Sequence, residues 1–228
     1  MLNKSLLETT VAACMLLCLA LSQGCGAADA VPSPPQAPRP DSIVHIDIRA
    51  VGDLMCHAPQ FEYARVGADT FDYRRCYAAV ADYLRGADFT IGNMESVFAG
   101  ASRKYTGYPT FNTPEDYLDA LKEAGFDFLV TANNHSLDRG ESGAYASLDV
   151  FDKYGFDHTG TYRNPADRDS IRVVDIKGIK MAILNYTYGT NGIPIPAGKP
   201  WIINLTDTLL IAKDIAAAKA LKPDLVTV

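Results

Sequence analysis

Strand-like and helix-like apolar periods alternate along this chain, and the alternation predicts an α/β domain. Two further observations support that class. Three of the strand-like runs end in polar, turn-prone residues: Gly52-Asp53 with His57, Asn93-Met94-Glu95, and the stretch Ala132 to Gly140 (ANNHSLDRG). Polar loops at strand ends are where α/β folds hold ligands. Nearer the C-terminus, two β-rich runs flank Lys177-Gly178, a two-residue hairpin signal, so part of the sheet is antiparallel.

The elements follow in order. Ile43 to Val51 alternates, with Val44, Ile46, Ile48 and Ala50 on one face, and reads as the first strand. His45 falls on the opposite face, toward solvent. Cys76 to Leu84 has Tyr77, Val80, Ala81 and Leu84 at helical spacing. Phe89 to Gly92 is a short strand ending at Asn93. Thr113 reads as the N-cap of the next helix, with Pro114 at its first position and Glu115 and Asp116 in its first turn. Tyr117, Leu118, Leu121 and Ala124 form its apolar stripe, and Gly125 stops it. Phe126 to Thr131 is the third strand and delivers Asn133, Asn134 and His135. A helix over Glu141 to Tyr154 follows, stopped by Gly155. Asp157 and His158 read as a surface loop. Ile171 to Ile176 and Ile179 to Thr187 form the hairpin. Tyr188 to Pro200 is a Gly/Pro-rich loop long enough to serve as a binding loop or lid. Leu209 to Leu221 is an Ala-rich helix ended by Pro223, and Asp224 to Val228 is a last strand. A strand with no loop after it predicts a fold that continues past Val228.

The N-terminus reads as an address. Residues 1–25 resemble a secretory signal: Lys4 precedes an eleven-residue apolar run, Val11 to Leu21. That run is shorter than the roughly 20 residues a membrane span needs. Leu21 to Cys25 fits a lipoprotein signal in which Cys25 is lipidated. Ala28-Asp29-Ala30 offers an alternative cleavage site that would discard Cys25. Residues 26–41 form a Pro-rich tether, with five prolines between Val31 and Pro40, and residues 42–228 form the domain. Together these features predict an exported, lipid-anchored protein of the cell envelope, or a periplasmic or secreted one. Only Cys56 and Cys76 lie in the domain, which leaves open one disulfide or two thiols. The net charge is −6 with no basic run, which argues against nucleic acid as a partner.

Asp53, Glu95, Asn134 and His135 are hard oxygen and imidazole donors, with His57 a further candidate ligand. Such donors suit Mn, Mg, Zn or Fe, and two such ions about 3.5–4 Å apart can activate water for hydrolysis. His135 can act on a leaving group or oxyanion, and Asp138, three residues on, can orient its imidazole. Asn93 and Asn133 at the same strand ends, and Tyr188 and Asn191 in the long loop, are candidates for substrate contact. Tyr186 suits either a pocket wall or packing.

Val51-Gly52-Asp53-Leu54-Met55, Gly92-Asn93-Met94-Glu95-Ser96 and Thr131 to Gly140, with Asn185 to Gly192 behind them, resemble the CapA/PgsA-type capsule-synthesis proteins. The resemblance covers nearly all of Ile43 to Val228. It implies a calcineurin-like metallophosphoesterase-type sandwich of two β-sheets flanked by helices, four layers α/β/β/α. It also implies a role in making or exporting poly-γ-glutamate. Carried over, Asp53, Glu95 and Asn134 are metal ligands and His135 faces substrate. Implied partners are an anionic exopolymer such as poly-γ-glutamate, or a phosphoester, and other capsule-synthesis proteins. The sequence departs from the pattern in two places. Met94 stands where Leu is usual, and the His-Trp-Gly-x-Glu-like motif that follows the last strand in the family is absent. The second departure predicts a domain incomplete at its C-terminus, and with it a non-catalytic scaffold or an inactive fragment as alternatives to a metal-dependent hydrolase.

Overall fold

The computed structural model describes residues 43–228; the signal, the tether and Cys25 lie outside the described residues. Four strands, β1 (Ile48–Asp53), β2 (Phe89–Asn93), β3 (Phe128–Val130) and β4 (Asp157–Thr159), form a parallel sheet in that order. A second sheet holds β5 (Arg172–Ile176), β6 (Ile179–Ile183) and β7 (Leu225–Thr227). In it β5 and β6 are antiparallel, and β6 and β7 are parallel. The predicted α/β class with an antiparallel portion is therefore present.

Short helices α1 (Ala58–Ala64), α2 (Arg74–Tyr77) and α3 (Ala81–Arg85) join β1 to β2. Helix α4 (Asp116–Ala124) precedes β3 and α5 (Gly140–Lys153) precedes β4. The second sheet follows α6 (Pro165–Asp169), and α7 (Thr208–Ala220) leads into β7.

β3 shows why its apolar run is unbroken. Phe128 packs with Ile176, Met181 and Ile183 of the second sheet, while Leu129 packs with Leu118 and Leu121 of α4 and Leu148 and Phe151 of α5. A strand covered on both faces needs apolar residues at every position. Each of these side chains contributes about 1.5–3 kcal/mol by leaving water. The two sheets thus face each other, with α4 and α5 on the outer face of the first.

Turn chemistry fixes the boundaries. Gly125 closes α4 with a left-handed φ of 99°, and its N–H reaches the carbonyls of Leu121 and Lys122. Lys177 and Gly178 both take positive φ, 53° and 88°, as a tight hairpin with the native strand twist requires.

Several expectations need correction. β1 begins at Ile48 rather than Ile43, because its partner among the described residues, β2, pairs from Phe89 onward. His45 precedes the strand and is exposed. The helix expected over Cys76 to Leu84 is split into α2 and α3 by a turn, leaving Val80 exposed. Thr113 caps nothing: its hydroxyl pairs with that of Ser96 in the interior, and α4 starts at Asp116 with no side-chain cap. β6 ends at Ile183 rather than Thr187, because Asn185 turns away and its side-chain Oδ1 accepts the Ala132 N–H at 2.6 Å. His158 is not a surface loop residue. It sits in β4, 4% exposed, against the Phe151 ring. Cys56 and Cys76 are both free thiols, the first buried and the second exposed.

Candidate functional site

The C-terminal ends of β1, β2 and β3 are tied together by backbone hydrogen bonds. Leu54 N–H donates to Asn93 O (2.7 Å), Met94 N–H to Val130 O (2.9 Å) and Glu95 N–H to Leu54 O (3.2 Å). A register shift between Val51 and Asp53 sets Asp53 opposite Asn93. Gly92 permits the close approach: a Cβ there would lie 2.4 Å from Leu54 Cδ1 and 2.9 Å from the Phe126 ring.

A continuous chain of polar contacts runs across these ends. The Asn93 amide donates to Asp53 Oδ1 at 2.8 Å and to Glu95 Oε2 at 2.9 Å. The Asn133 amide donates to Asn93 Oδ1 (3.2 Å) and to Met94 O (2.9 Å). Asn133 Oδ1 accepts the His135 N–H at 3.1 Å, and His135 Nδ1 meets Asp138 Oδ2 at 2.8 Å. Asp138 Oδ2 also accepts the Phe111 N–H at 2.7 Å, while its Oδ1 is buried without a partner among the described residues. Glu95, Asn133, His135 and Asp138 are all buried; Asp53 is exposed at the mouth.

The electrostatics follow from this crowding. Burial, reinforced by the Asp53 carboxylate beside it, pushes the Glu95 carboxyl up to about 7; His135 and the Asn93 amide oppose the shift. Burial also raises Asp138, against the Phe111 N–H and the His135 ring.

The structure thus brings Asp53, Asn93, Glu95, Asn133, His135 and Asp138 together. Asn134 is half-buried beside them, and its side chain makes no hydrogen bond among the described residues. His57, just ahead of α1, is exposed, and its ring stands edge-on to Phe111 at 5.1 Å between centroids; Phe111 stands edge-on to His135 at 4.7 Å. Tyr188 is 80% exposed, and Asn191 is exposed at a positive-φ turn. Neither hydrogen-bonds to the cluster among the described residues. Tyr186 is bound instead to Asp214, at 2.7 Å.

Three positioning residues were assigned no role from the sequence: Ser136 and Arg139, inside the strand-end motif, and Phe111, outside every motif. Phe111 wedges between the two imidazoles. Arg139 holds that loop through Phe111 O (3.2 Å) and Thr110 O (3.1 Å). Ser136 Oγ donates to Thr131 O and accepts the Asn133 N–H at 2.9 Å, fixing the bend after β3. Adjacency to Asn133 and Asp138 was the only clue to Ser136 and Arg139, and Phe111 had none.

Two carboxylates bridged by one amide, with a free amide and an imidazole nearby, form a hard-donor set that fits a divalent cation. Among the described residues, no group of three or more His, Cys, Asp and Glu side chains is arranged to enclose an ion, so amide oxygens would complete any shell. No helix among the described residues is long and apolar enough to cross a membrane.

Comparison with known proteins gives consistent relatives. The capsule biosynthesis protein CapA of Bacillus anthracis is 30% identical over 142 residues, covering 60% of this chain and 33% of its own length. The PGA biosynthesis protein CapA of Bacillus subtilis is 27% identical over 125 residues, covering 53% of this chain and 31% of its own. An uncharacterized protein of Sinorhizobium fredii is 32% identical over 116 residues, covering 48% and 25%. The matched region is therefore about a third or less of each relative's length. The sequence model described as bacterial capsule synthesis protein PGA_cap matches residues 47–228, and the chain belongs to that family.

Proposed function

We propose that this protein is a metal-dependent hydrolase of the cell envelope, acting in capsule or exopolymer metabolism on a phosphoester or on an amide such as that of poly-γ-glutamate. The observation that carries the reading is the Asn93 amide held 2.8 and 2.9 Å from the Asp53 and Glu95 carboxylates, with His135 two contacts away through Asn133. The facing sheets with helices outside support a metallophosphoesterase-type sandwich. The names of the relatives support the capsule setting, and the signal-like N-terminus supports export and an anchor at Cys25.

Asp53, Glu95 and Asn134 would hold a divalent ion, with His57 on the flank. Such an ion, when bound, supplies a nucleophilic water at neutral pH and stabilises negative charge. The protein supplies the rest. Asp138 holds the Nδ1 side of His135, so the Nε2 side is the one directed to a substrate oxygen, where it can give a proton to the leaving group. Asn133 fixes the His135 backbone, and Phe111 packs edge-on against its ring.

A second reading is a non-catalytic polymer-export scaffold. It is favoured by the same Asn93 bridge, which links the two carboxylates through one hydrogen bond to each from the protein alone. One experiment separates the two: metal analysis of the purified full chain after equilibration with Mn²⁺, paired with assays on phosphoesters and poly-γ-glutamate. The hydrolase reading expects bound ions, up to two, and activity, both lost on Asp53→Ala, with activity alone lost on His135→Ala. A folded protein that binds no ion and cleaves neither substrate, yet retains polymer, overturns it in favour of the scaffold.

A further inference from the structure

A crevice of about 270 Å³ opens beside Asp53 on the helix side of the parallel sheet. Tyr73, Tyr77 and Tyr117 line it together with the apolar Val51, Leu54 and Met55, and with Gln60 and Cys76. No Lys or Arg lines it, and Asp53 is its one carboxylate.

The tyrosine hydroxyls are already engaged. Tyr77 donates to Tyr117 at 2.5 Å, Tyr117 reaches Met55 O at 3.4 Å, and Tyr73 pairs with the Cys56 thiol at 3.4 Å. The rings also fix one another edge-to-face, Tyr73 on Tyr117 at 5.0 Å and Tyr77 on Tyr117 at 6.0 Å. Tyr73 and Tyr117 are almost fully buried, so the part-exposed Tyr77 is the ring the crevice offers, and its hydroxyl is no spare donor. Gln60 Oε1 is taken by the His57 N–H at 2.6 Å, which leaves its amide N–H groups for a ligand. A cavity of about 150 Å³ is enough to take benzene, so this one accommodates a substituted ring. An anionic group is disfavoured there, because nothing cationic lines the walls and Asp53 repels it.

We propose that this crevice is a subsite for an uncharged, ring-sized group, attached to the phosphoryl or acyl group that is handled at Asp53. The inference rests on the hydrolase reading for that attachment; the ring-binding part stands on the crevice itself. It gives the substrate a neutral ring on one side of the reacting centre, which a plain run of carboxylate-bearing residues lacks. The part-exposed Tyr77 ring favours offset or edge-on contact with such a group.

Cys76 provides the reporter, because it is exposed at the crevice whereas Cys56 is buried. The full chain is alkylated with iodoacetamide and modification at Cys76 is followed by peptide mass spectrometry. Benzyl alcohol is expected to slow the reaction saturably, and glutarate at equal concentration to leave it unchanged. No protection by benzyl alcohol, or equal protection by glutarate, overturns the subsite. Benzyl phosphate with Mn²⁺ is then expected to protect at concentrations at least about tenfold lower than benzyl alcohol, and Asp53→Ala to abolish that gain. If Mn²⁺ brings no gain although benzyl alcohol protects, the link to Asp53 and the hydrolase reading fall while the ring site is upheld.

Discussion

Asn93 is the residue on which the site's geometry turns. Its single amide nitrogen meets both Asp53 and Glu95, and its oxygen receives Asn133. Asn93→Ala removes the bridge and leaves the buried Glu95 carboxylate facing Asp53 with less to offset the repulsion. The expected cost is about 1–3 kcal/mol of unfolding free energy, read by urea denaturation in the presence of chelator. Adding Mn²⁺ should recover more stability in the variant than in the parent, because an ion would take over the neutralising role. Asp138 acts one step further from substrate. Asp138→Asn keeps the shape but loses the carboxylate that accepts from both His135 and Phe111. In the hydrolase reading kcat falls about 10- to 100-fold with KM little changed, and steady-state kinetics at saturating Mn²⁺ checks it.

At the scale of elements, β4 is the instructive case. Asp157-His158-Thr159 is three residues long and polar at every position, so its sequence carries no strand signal. Its burial comes from pairing with β3 and from α5 packed above it, both set far away in the chain. The elements that were legible, α4, β3, α5 and the β5–β6 hairpin, have apolar stripes, unbroken apolar runs or Gly stops that are local. The buried His158 has a measurable consequence. Burial holds its pKa below 6.5, Asp152 at 3.5 Å opposes the shift, and Arg172 and Arg163 reinforce it; its Nδ1 has no partner among the described residues. Above pH 6.5 the ring is neutral in both states. As pH falls below 6.5 the unfolded chain takes a proton that the folded chain refuses, so stability is lost down to the folded pKa. His158→Gln is expected to flatten this acid-side slope of melting temperature against pH, and an unchanged slope would refute the assignment. Gly125 tests a legible element: Gly125→Ala puts a Cβ at φ 99° within about 3.0 Å of the Arg85 backbone. A loss of about 1–2 kcal/mol in thermal or urea unfolding is expected.

For the whole molecule, the site was legible to the extent that it lies at strand ends. Asp53, Asn93, Glu95, Asn133, His135 and Asp138 each follow an apolar run, and a parallel sheet delivers all such ends to one edge. Phe111 lies off that edge, in a loop held by Arg139 from the strand-end loop, and its path depends on contacts between distant segments, so periodicity was silent about it. The same global view constrains how an anionic polymer would be engaged. The chain carries a net charge of −6, and the candidate site opens on a carboxylate. Long-range steering therefore opposes a polyanion, and only local neutralisation at the strand ends can reverse that. In the proposed reading, association with poly-γ-glutamate is accordingly expected to require a divalent cation, to vanish with EDTA, and to be abolished by Asp53→Ala. Added monovalent salt should weaken the bare repulsion without replacing the ion. Surface-immobilised protein titrated with polymer, with and without Mn²⁺, provides the measurement. Tight binding in EDTA that weakens steeply with salt would instead place the polymer on a cationic face, away from Asp53.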